Sequence, residues 1–265
     1  MAEHQVAAYR DRFRRQDASE AALERHVHHT TDLVLNESAD QPTAWLIFAA
    51  RLSQPIPRTV LQPTRPMAKL VIEQGSKRAR ALLNGAVRMP RLLGPQLIPD
   101  LLSNDPRRGL RRWVDTNLFV PAWSSNRRGV LLELHHDGTV VTAVDLSHKA
   151  LPADRPDVEL PVISWVLISA VFEAVALAHE HRQALHSEAP MDVQAIVQTR
   201  ATTSRFTPVV LDFGRPDVAE RARQPSVLET AFGELAPFAD DQTLGATARE
   251  LTEGLLHQVG LDMPD

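Results

Sequence analysis

The sequence predicts an α+β fold: a mostly antiparallel sheet with a central hairpin, packed by a long buried helix and by N- and C-terminal helices. Three observations lead to this prediction. Residues 130–146 alternate around an Asp-Gly turn, and residues 161–187 form one long, largely apolar helical run. Helical and strand-like segments mingle without a regular strand–helix–strand rhythm, which favours antiparallel over parallel pairing.

The first elements follow from the periodicity of the apolar residues. Residues 3–36 carry an apolar stripe of helical period, broken near Asp17, because Asp17 and Glu20 have the spacing of a helix cap and its reaching acid. Residues 44–52, AWLIFAARL, are short, apolar and flanked by prolines. A strand is therefore predicted there.

Prolines punctuate residues 55–106, and each one fixes the backbone and removes a hydrogen-bond donor. Only short elements are expected between them. Residues 67–83 are predicted to form a helix that is interrupted near Gly75. Residues 107–117 are predicted to form a short helical piece capped by Asp105.

The second half is better defined. Gly138 in the Asp-Gly turn is expected to have a positive φ. Strands are predicted at 193–199 and 208–213, followed by an amphipathic helix at 242–259. The side chains expected to be buried on the long helix are Trp165, Leu167, Val171, Val175 and Leu177.

The charge distribution divides the chain into unlike parts. Residues 61–128 carry 13 Lys and Arg against 4 Asp and Glu, whereas residues 129–265 carry 9 against 21. We expect an N-terminal helical segment over 1–40 and a single α+β domain over 41–265, with a basic part (61–128) and an acidic part (129–265). The basic part attracts phosphate and the acidic part repels it.

Composition excludes several chemistries. The chain has no cysteine, which rules out disulfides, thiolate zinc sites and a cysteine nucleophile. It has no phosphate loop, nucleophile elbow or dinucleotide fingerprint, so no catalytic residue and no cofactor are predicted. Residues 160–178 are long enough to span a membrane, but Glu173 lies well inside them. A buried helix of a cytoplasmic protein is therefore expected, with no membrane partner.

Arginines in the basic part form a candidate nucleic-acid site, in which cations contact phosphates and a tryptophan stacks on bases. The proposed site residues are Arg107, Arg108, Arg111, Arg112, Trp113, Arg127 and Arg128. One alternative is that these arginines are already paired with carboxylates of the acidic half, such as Asp154, Asp157 or Glu159. A second alternative is that codon bias explains the arginines, because the chain has 26 arginines but only three lysines.

The eleven histidines raise the question of a metal site. His26 and His29 share a helix face, whereas His179 and His181 stand two apart and so point in different directions on one helix. The spacing does not match the zinc-protease pattern, in which the second histidine follows four residues after the first. No metal ligand is predicted, and a histidine-dependent metal hydrolase is kept only as an alternative.

Several short stretches resemble the C-terminal part of actinobacterial Schlafen/AlbA-type DNA-binding or ATP-binding proteins. They are YRDRF at 9–13, AWLIFA at 44–49, RRW at 111–113 and LLELHHDG at 131–138. The resemblance covers roughly residues 6–146 and implies an accessory module without that family's N-terminal head domain.

The leading functional expectation is a non-catalytic accessory or regulatory module. It would act by binding a protein partner or a second copy of itself, because no catalytic constellation is present and the two halves have complementary charge. Nucleic-acid binding through 61–128 is the alternative.

Overall fold

The computed structural model describes residues 20–36, 43–57, 63–86, 97, 105–118, 129–147, 160–200, 204–212, 215–219 and 222–264. The helices in these ranges are α1 (20–36), α2 (Arg65–Ala86), α3 (Ser164–Ala184) and α4 (Asp241–Leu256), and a 3₁₀ turn (His257–Val259) follows α4. The strands are β1 (Ala44–Leu52), β2 (Arg107–Gly109), β3 (Arg112–Thr116), β4 (Val130–His135), β5 (Val140–Asp145), β6 (Leu160–Ile163), β7 (Met191–Thr199), β8 (Phe206–Asp212), β9 (Arg215–Val218) and β10 (Ala231–Leu235).

The predicted α+β class is confirmed. Seven strands of the described chain form one sheet in the order β10-β7-β1-β5-β4-β3-β2, and every neighbouring pair in it is antiparallel. A smaller sheet has the order β6-β8-β9, with β6 and β8 parallel. The prediction of strand 44–52 is confirmed to the residue.

Both faces of the large sheet are covered, which explains why β1 is apolar throughout. Leu46, Phe48 and Ala50 belong to the main core, which α2, α3 and α4 cover. The intervening Trp45, Ile47 and Ala49 point to the opposite face, where α1 lies. Successive side chains of a strand alternate between faces, so a strand between two helical layers loses its polar positions.

Helix α1 packs on that opposite face through its own apolar side. Leu23 contacts Ala49 and Val141, and Val34 packs with Trp45 and Ile47. We refer to the face covered by α1 as the α1 face. The described part of the predicted N-terminal helix is therefore helical, while residues 3–19 lie outside the described residues.

The predicted hairpin at 130–146 is confirmed, with β4 and β5 paired on either side of a turn at 136–138. Gly138 has φ +92°, as expected. The His135 amide donates to the Thr139 carbonyl at 2.8 Å and the Gly138 amide donates to the His135 carbonyl at 3.2 Å. A glycine at the left-handed position of a three-residue loop is a common way to close such a hairpin.

Replacing Gly138 by alanine is expected to lower the free energy of unfolding by about 2 kcal/mol. The added methyl would overlap the Leu52 side chain in the core, and alanine disfavours the positive φ. Urea unfolding measures the loss. Gly85→Ala is the matched control, because nothing lies within 4 Å of a Cβ at that position. Equal stability of the two variants would contradict this account of the turn.

Helix α3 accommodates a polar side chain inside its apolar run. Glu173 is fully buried, and its carboxyl group accepts a hydrogen bond from the Leu97 amide at 3.0 Å. Leu167, Val171, Val175 and Leu177 are buried as predicted, whereas Trp165 is only partly buried. Among the helices that the structure describes, none combines the length and apolar character needed to cross a bilayer.

Three local predictions were wrong. Residues 107–116 form the β2–β3 hairpin rather than a helix, and Asp105 pairs with Arg65 and Lys69 instead of capping one. Helix α2 continues through Gly75, where Leu177 of α3 approaches so closely that a Cβ would meet its Cδ2 at 2.8 Å. Residues 160–163 form β6, so α3 begins at Ser164 rather than Pro161.

Candidate functional site

The arginines singled out in the sequence lie on the β2–β3 hairpin at one edge of the large sheet. Arg107 and Arg108 belong to β2 and are exposed, and Arg111 lies exposed in the two-residue turn. Leu110 in the same turn is 90% exposed. Arg111 has φ +60°, which is unusual for a residue with a side chain. Arg127 and Arg128 lie outside the described residues.

Arg112 and Trp113 are neighbours in β3, so their side chains point to opposite faces of the sheet. The Arg112 Nη1 lies 3.2 Å from the Glu133 Oε2 on the α1 face. The half-buried Trp113 packs against the main core on the other face and donates its indole N–H to the Pro63 carbonyl at 2.8 Å. The structure therefore separates these two proposed site residues.

Glu133 on β4 is the centre of a polar network beneath α1. Its side chain is 2% exposed, and its Oε2 also lies 2.9 Å from the His135 Nε2. Burial alone would raise the pKa of this carboxyl group. The hydrogen bond and charge of His135, together with the charge of Arg112, outweigh burial and lower the pKa. Glu133 is therefore an ionised buried carboxylate with two basic partners.

Helix α1 adds His26 to this network. The rings of His26 and His135 meet edge to face, with their centroids 4.7 Å apart. Burial, followed by the charge of His135, lowers the pKa of His26 to about 4, even though Asp137 and Glu133 act in the opposite direction. The His26 imidazole is consequently neutral near pH 7.

A cleft of about 400 Å³ opens between α1 and the α1 face of the sheet. The elements that form it are α1, the end of β1, the start of β3 and the β4–β5 turn. We refer to it as the α1 cleft, and its lining residues are Ala22, Arg25, His26, His29, Arg51, Arg112 and Asp137. Three arginines and one aspartate thus line this space.

Asp137 supplies the carboxylate and also holds the β4–β5 turn, because its Oδ1 accepts from the Thr139 amide at 3.0 Å. Burial would raise the pKa of Asp137. The hydrogen bonds from Thr139 and the charges of His135 and Arg51 outweigh burial, so the pKa is lowered. Asp137 is thus ionised in the α1 cleft.

His181 connects α3 to the same strand from the other side of the sheet. Its Nε2 donates to the His135 carbonyl at 2.8 Å, and its side chain is 1% exposed. Burial lowers the pKa of His181 to about 4 against the opposing hydrogen bond. His181 is thus a neutral core residue that fixes the backbone at His135.

Part of the basic segment is paired with the acidic half, as the internal-pairing alternative expected. Arg78 on α2 binds Glu180 on α3 at 2.5 Å and also binds Asp241 at the start of α4. Burial would lower the pKa of Arg78, but these two carboxylates raise it. Asp154, Asp157 and Glu159 lie outside the described residues. The observed partners are Glu133, Glu180 and Asp241.

The histidines divide as their spacing predicted. His26 and His29 both line the α1 cleft, whereas His179 and His181 point to different partners: the His179 Nδ1 accepts from Arg182 at 3.1 Å and His181 donates to His135. Within the described ranges, no three His, Asp or Glu side chains are grouped so that they could hold a metal ion. The histidine-dependent hydrolase stays a prediction.

Sequence reasoning missed the α1 cleft, which joins Arg25, Arg51 and Asp137 to the predicted Arg112. A faint signal exists for one lining residue, Arg51, and for Glu133, which binds the lining residue Arg112. Arg51 ends an otherwise apolar strand, and Glu133 interrupts the apolar run of β4 two residues before His135. In a strand covered on both faces, a charged residue at such a position needs a partner.

Fold and site together define a class: an antiparallel α+β sheet protein with an arginine-bearing edge hairpin and a basic cleft under its first helix. Comparison with known proteins finds no match among family models, curated sequences or solved structures.

Proposed function

We propose that this protein is a non-catalytic accessory module that binds nucleic acid through the turn of the β2–β3 hairpin. One observation carries the proposal: Arg107 and Arg108 on β2 and Arg111 in the turn that follows are all exposed. Their side chains make no ion pair or hydrogen bond with another described residue. Cations without internal partners are the ones available for phosphate.

Four other cations of the basic segment show the contrast. Arg65 and Lys69 bind Asp105, Arg78 binds Glu180 and Asp241, and Arg112 binds Glu133. A phosphate contacting any of these side chains would have to compete with a carboxylate. The hairpin arginines face no such competition, so they supply the attraction.

The local electrostatics at the turn agree with this proposal. His136 packs beside the hairpin, where its amide donates to the Arg111 carbonyl at 3.0 Å. Burial, followed by the charge of Arg108, lowers the pKa of His136. A positive potential that disfavours a protonated imidazole also favours an anion.

The double variant Arg108→Gln/Arg111→Gln is expected to weaken binding of an unphosphorylated oligonucleotide about tenfold at low salt. The dependence of log affinity on log salt should flatten by about 1.8 units for duplex DNA and about 1.4 for a single strand, because two phosphate contacts are lost. Fluorescence anisotropy across a salt series measures both quantities. Glutamine at position 111 retains the backbone strain of the wild type, so stability should not change.

Lys77→Gln/Arg80→Gln is the matched control, because it removes the same charge from two exposed positions on α2. It should leave the salt slope unchanged. Equal weakening by both double variants would show that net charge alone drives binding. Absence of binding by the wild type at low salt would also overturn the proposal, and the arginines would then protect the open sheet edge against self-pairing.

Binding to a protein partner or to a second copy of the chain stays a prediction. The complementary charge that motivated it is partly satisfied within one molecule, by Arg78 with Glu180 and Arg112 with Glu133. The hairpin arginines belong to the part of that charge that no described carboxylate pairs with, and the proposal rests on them because they lie close together in one hairpin.

A further inference from the structure

We infer that the α1 cleft is a binding site for a phosphate monoester dianion. The cleft lies on the α1 face and is built by α1, β1, β3 and the β4–β5 turn, whereas the proposed nucleic-acid contacts are the exposed hairpin residues. The inference therefore stands independently of the proposed function. Three guanidinium groups that converge from three separate elements are its main support.

The charged residues of the lining favour an anion. Arg25, Arg51 and Arg112 are cationic, and Asp137 is the one anionic residue among the lining residues. Glu133 lies behind the lining and is 2% exposed. Its charge offsets part of the charge of Arg112, so a phosphate that contacts Arg112 would share this guanidinium group with Glu133.

Donor geometry also fits an oxyanion. The Arg25 Nε donates to the Ala21 carbonyl at 3.1 Å, and the two Nη groups of Arg25 make no hydrogen bond to a described residue. Arg112 uses Nη1 for Glu133 and its Nε is enclosed by protein, so the Nη groups of Arg25 are the spare donors on the ligand side. Guanidinium groups match phosphate with two parallel N–H···O bonds, so such spare donors suit phosphate oxygens.

The size and the histidines define the ligand class further. A cleft of about 400 Å³ is larger than a phosphate group alone and falls within the range of small-molecule sites. Neutral His26 can donate or accept a hydrogen bond there without adding charge. A phosphate that carries a small organic group matches both the positive charge of the lining residues and the volume of the cleft. It can be a free small monoester or the phosphorylated 5′ end of a strand.

Calorimetric titration with inorganic phosphate, and with a mononucleotide at equal ionic strength, tests the site. Both should bind in the millimolar range or tighter, and the corresponding nucleoside should not. Arg25→Gln and Arg51→Gln should each weaken binding about tenfold. Arg80→Gln on α2 is the control and should change nothing. Arg25 is exposed, so its variant retains the fold even if Arg51→Gln loses stability.

Asp137→Asn is the sharpest variant, because it removes the only carboxylate among the lining residues named above. The amide oxygen can still accept from the Thr139 amide, so the turn is preserved. Phosphate affinity should rise about threefold or more, because an unfavourable charge is gone while the three arginines remain. A change that strengthens binding cannot result from partial unfolding.

A pair of oligonucleotides with and without a 5′ phosphate separates the two ligand sources. Tighter binding of the phosphorylated strand, abolished by Arg25→Gln, identifies a strand end. Equal binding of both strands together with mononucleotide binding identifies a free monoester. The inference is overturned if the cleft variants leave the affinities for phosphate, for the mononucleotide and for the phosphorylated strand unchanged. This outcome is independent of any effect that the hairpin variants have on oligonucleotide binding.

Discussion

Lowering the pH from about 7 to about 4 is expected to cost this protein about 3 kcal/mol of its free energy of unfolding, from His181 alone. His181 is 1% exposed and has its pKa lowered from 6.5 to about 4 by burial. Between these two values the unfolded chain binds a proton that the native chain does not. Stability therefore rises with pH across this window and is constant, for this group, above it.

The other perturbed groups act in the same direction. The pKa of His179 is lowered to about 4 by burial and then by Arg78 and Arg182, and that of His26 by burial and then by His135. The carboxyl pKa values of Glu133 and Asp137 are also lowered. Their stabilisation is present above the unfolded pKa of a carboxyl group and is lost as the pH falls through the folded value.

Urea unfolding at a series of pH values measures the acid sensitivity. His181→Gln keeps an N–H donor for the His135 carbonyl but cannot titrate, so its stability profile should be flatter by up to about 1.4 kcal/mol per pH unit within the window. His28→Gln is the control, because the His28 side chain is 81% exposed on α1. If the stability of the His181 variant depended on pH as that of the wild type does, the acid sensitivity could not be assigned to His181.

What the sequence predicted well depends on local patterns. The alternation on both sides of Asp137-Gly138, the apolar run of 44–52 and the helical periodicity of 242–259 each specify an element from a few neighbouring residues. The structure has all three, with α4 and the 3₁₀ turn together covering 241–259. Charge asymmetry also indicated internal ion pairs, and Arg78 and Arg112 form them.

What the sequence did not predict depends on tertiary contacts. The β2–β3 turn places Arg111 at φ +60°, where glycine or asparagine would have given a turn signal. Strand β3 is stabilised by pairing with β4, which lies at least 14 residues further along the chain. The α1 cleft draws its residues from α1, β1, β3 and the β4–β5 turn, and no local pattern connects these four segments.

Glu133→Leu is expected to lower the free energy of unfolding by about 3 kcal/mol. The carboxylate is 2% exposed and binds both Arg112 and His135, so the leucine would leave two basic groups without their partner beneath α1. Glu133→Gln should cost less, because the amide oxygen still accepts one hydrogen bond. Urea unfolding at neutral pH measures both variants.

A double-mutant cycle determines whether this loss comes from the ion pair or from packing. Arg112→Leu/Glu133→Leu removes both charges of the pair, so its loss should be smaller than the sum of the two single losses by about 1–3 kcal/mol. Strictly additive losses would mean that Glu133 and Arg112 do not interact energetically. Because Arg112 also lines the α1 cleft, a positive coupling has a functional meaning. The buried carboxylate would then hold in place one of the three arginines that line the proposed phosphate site.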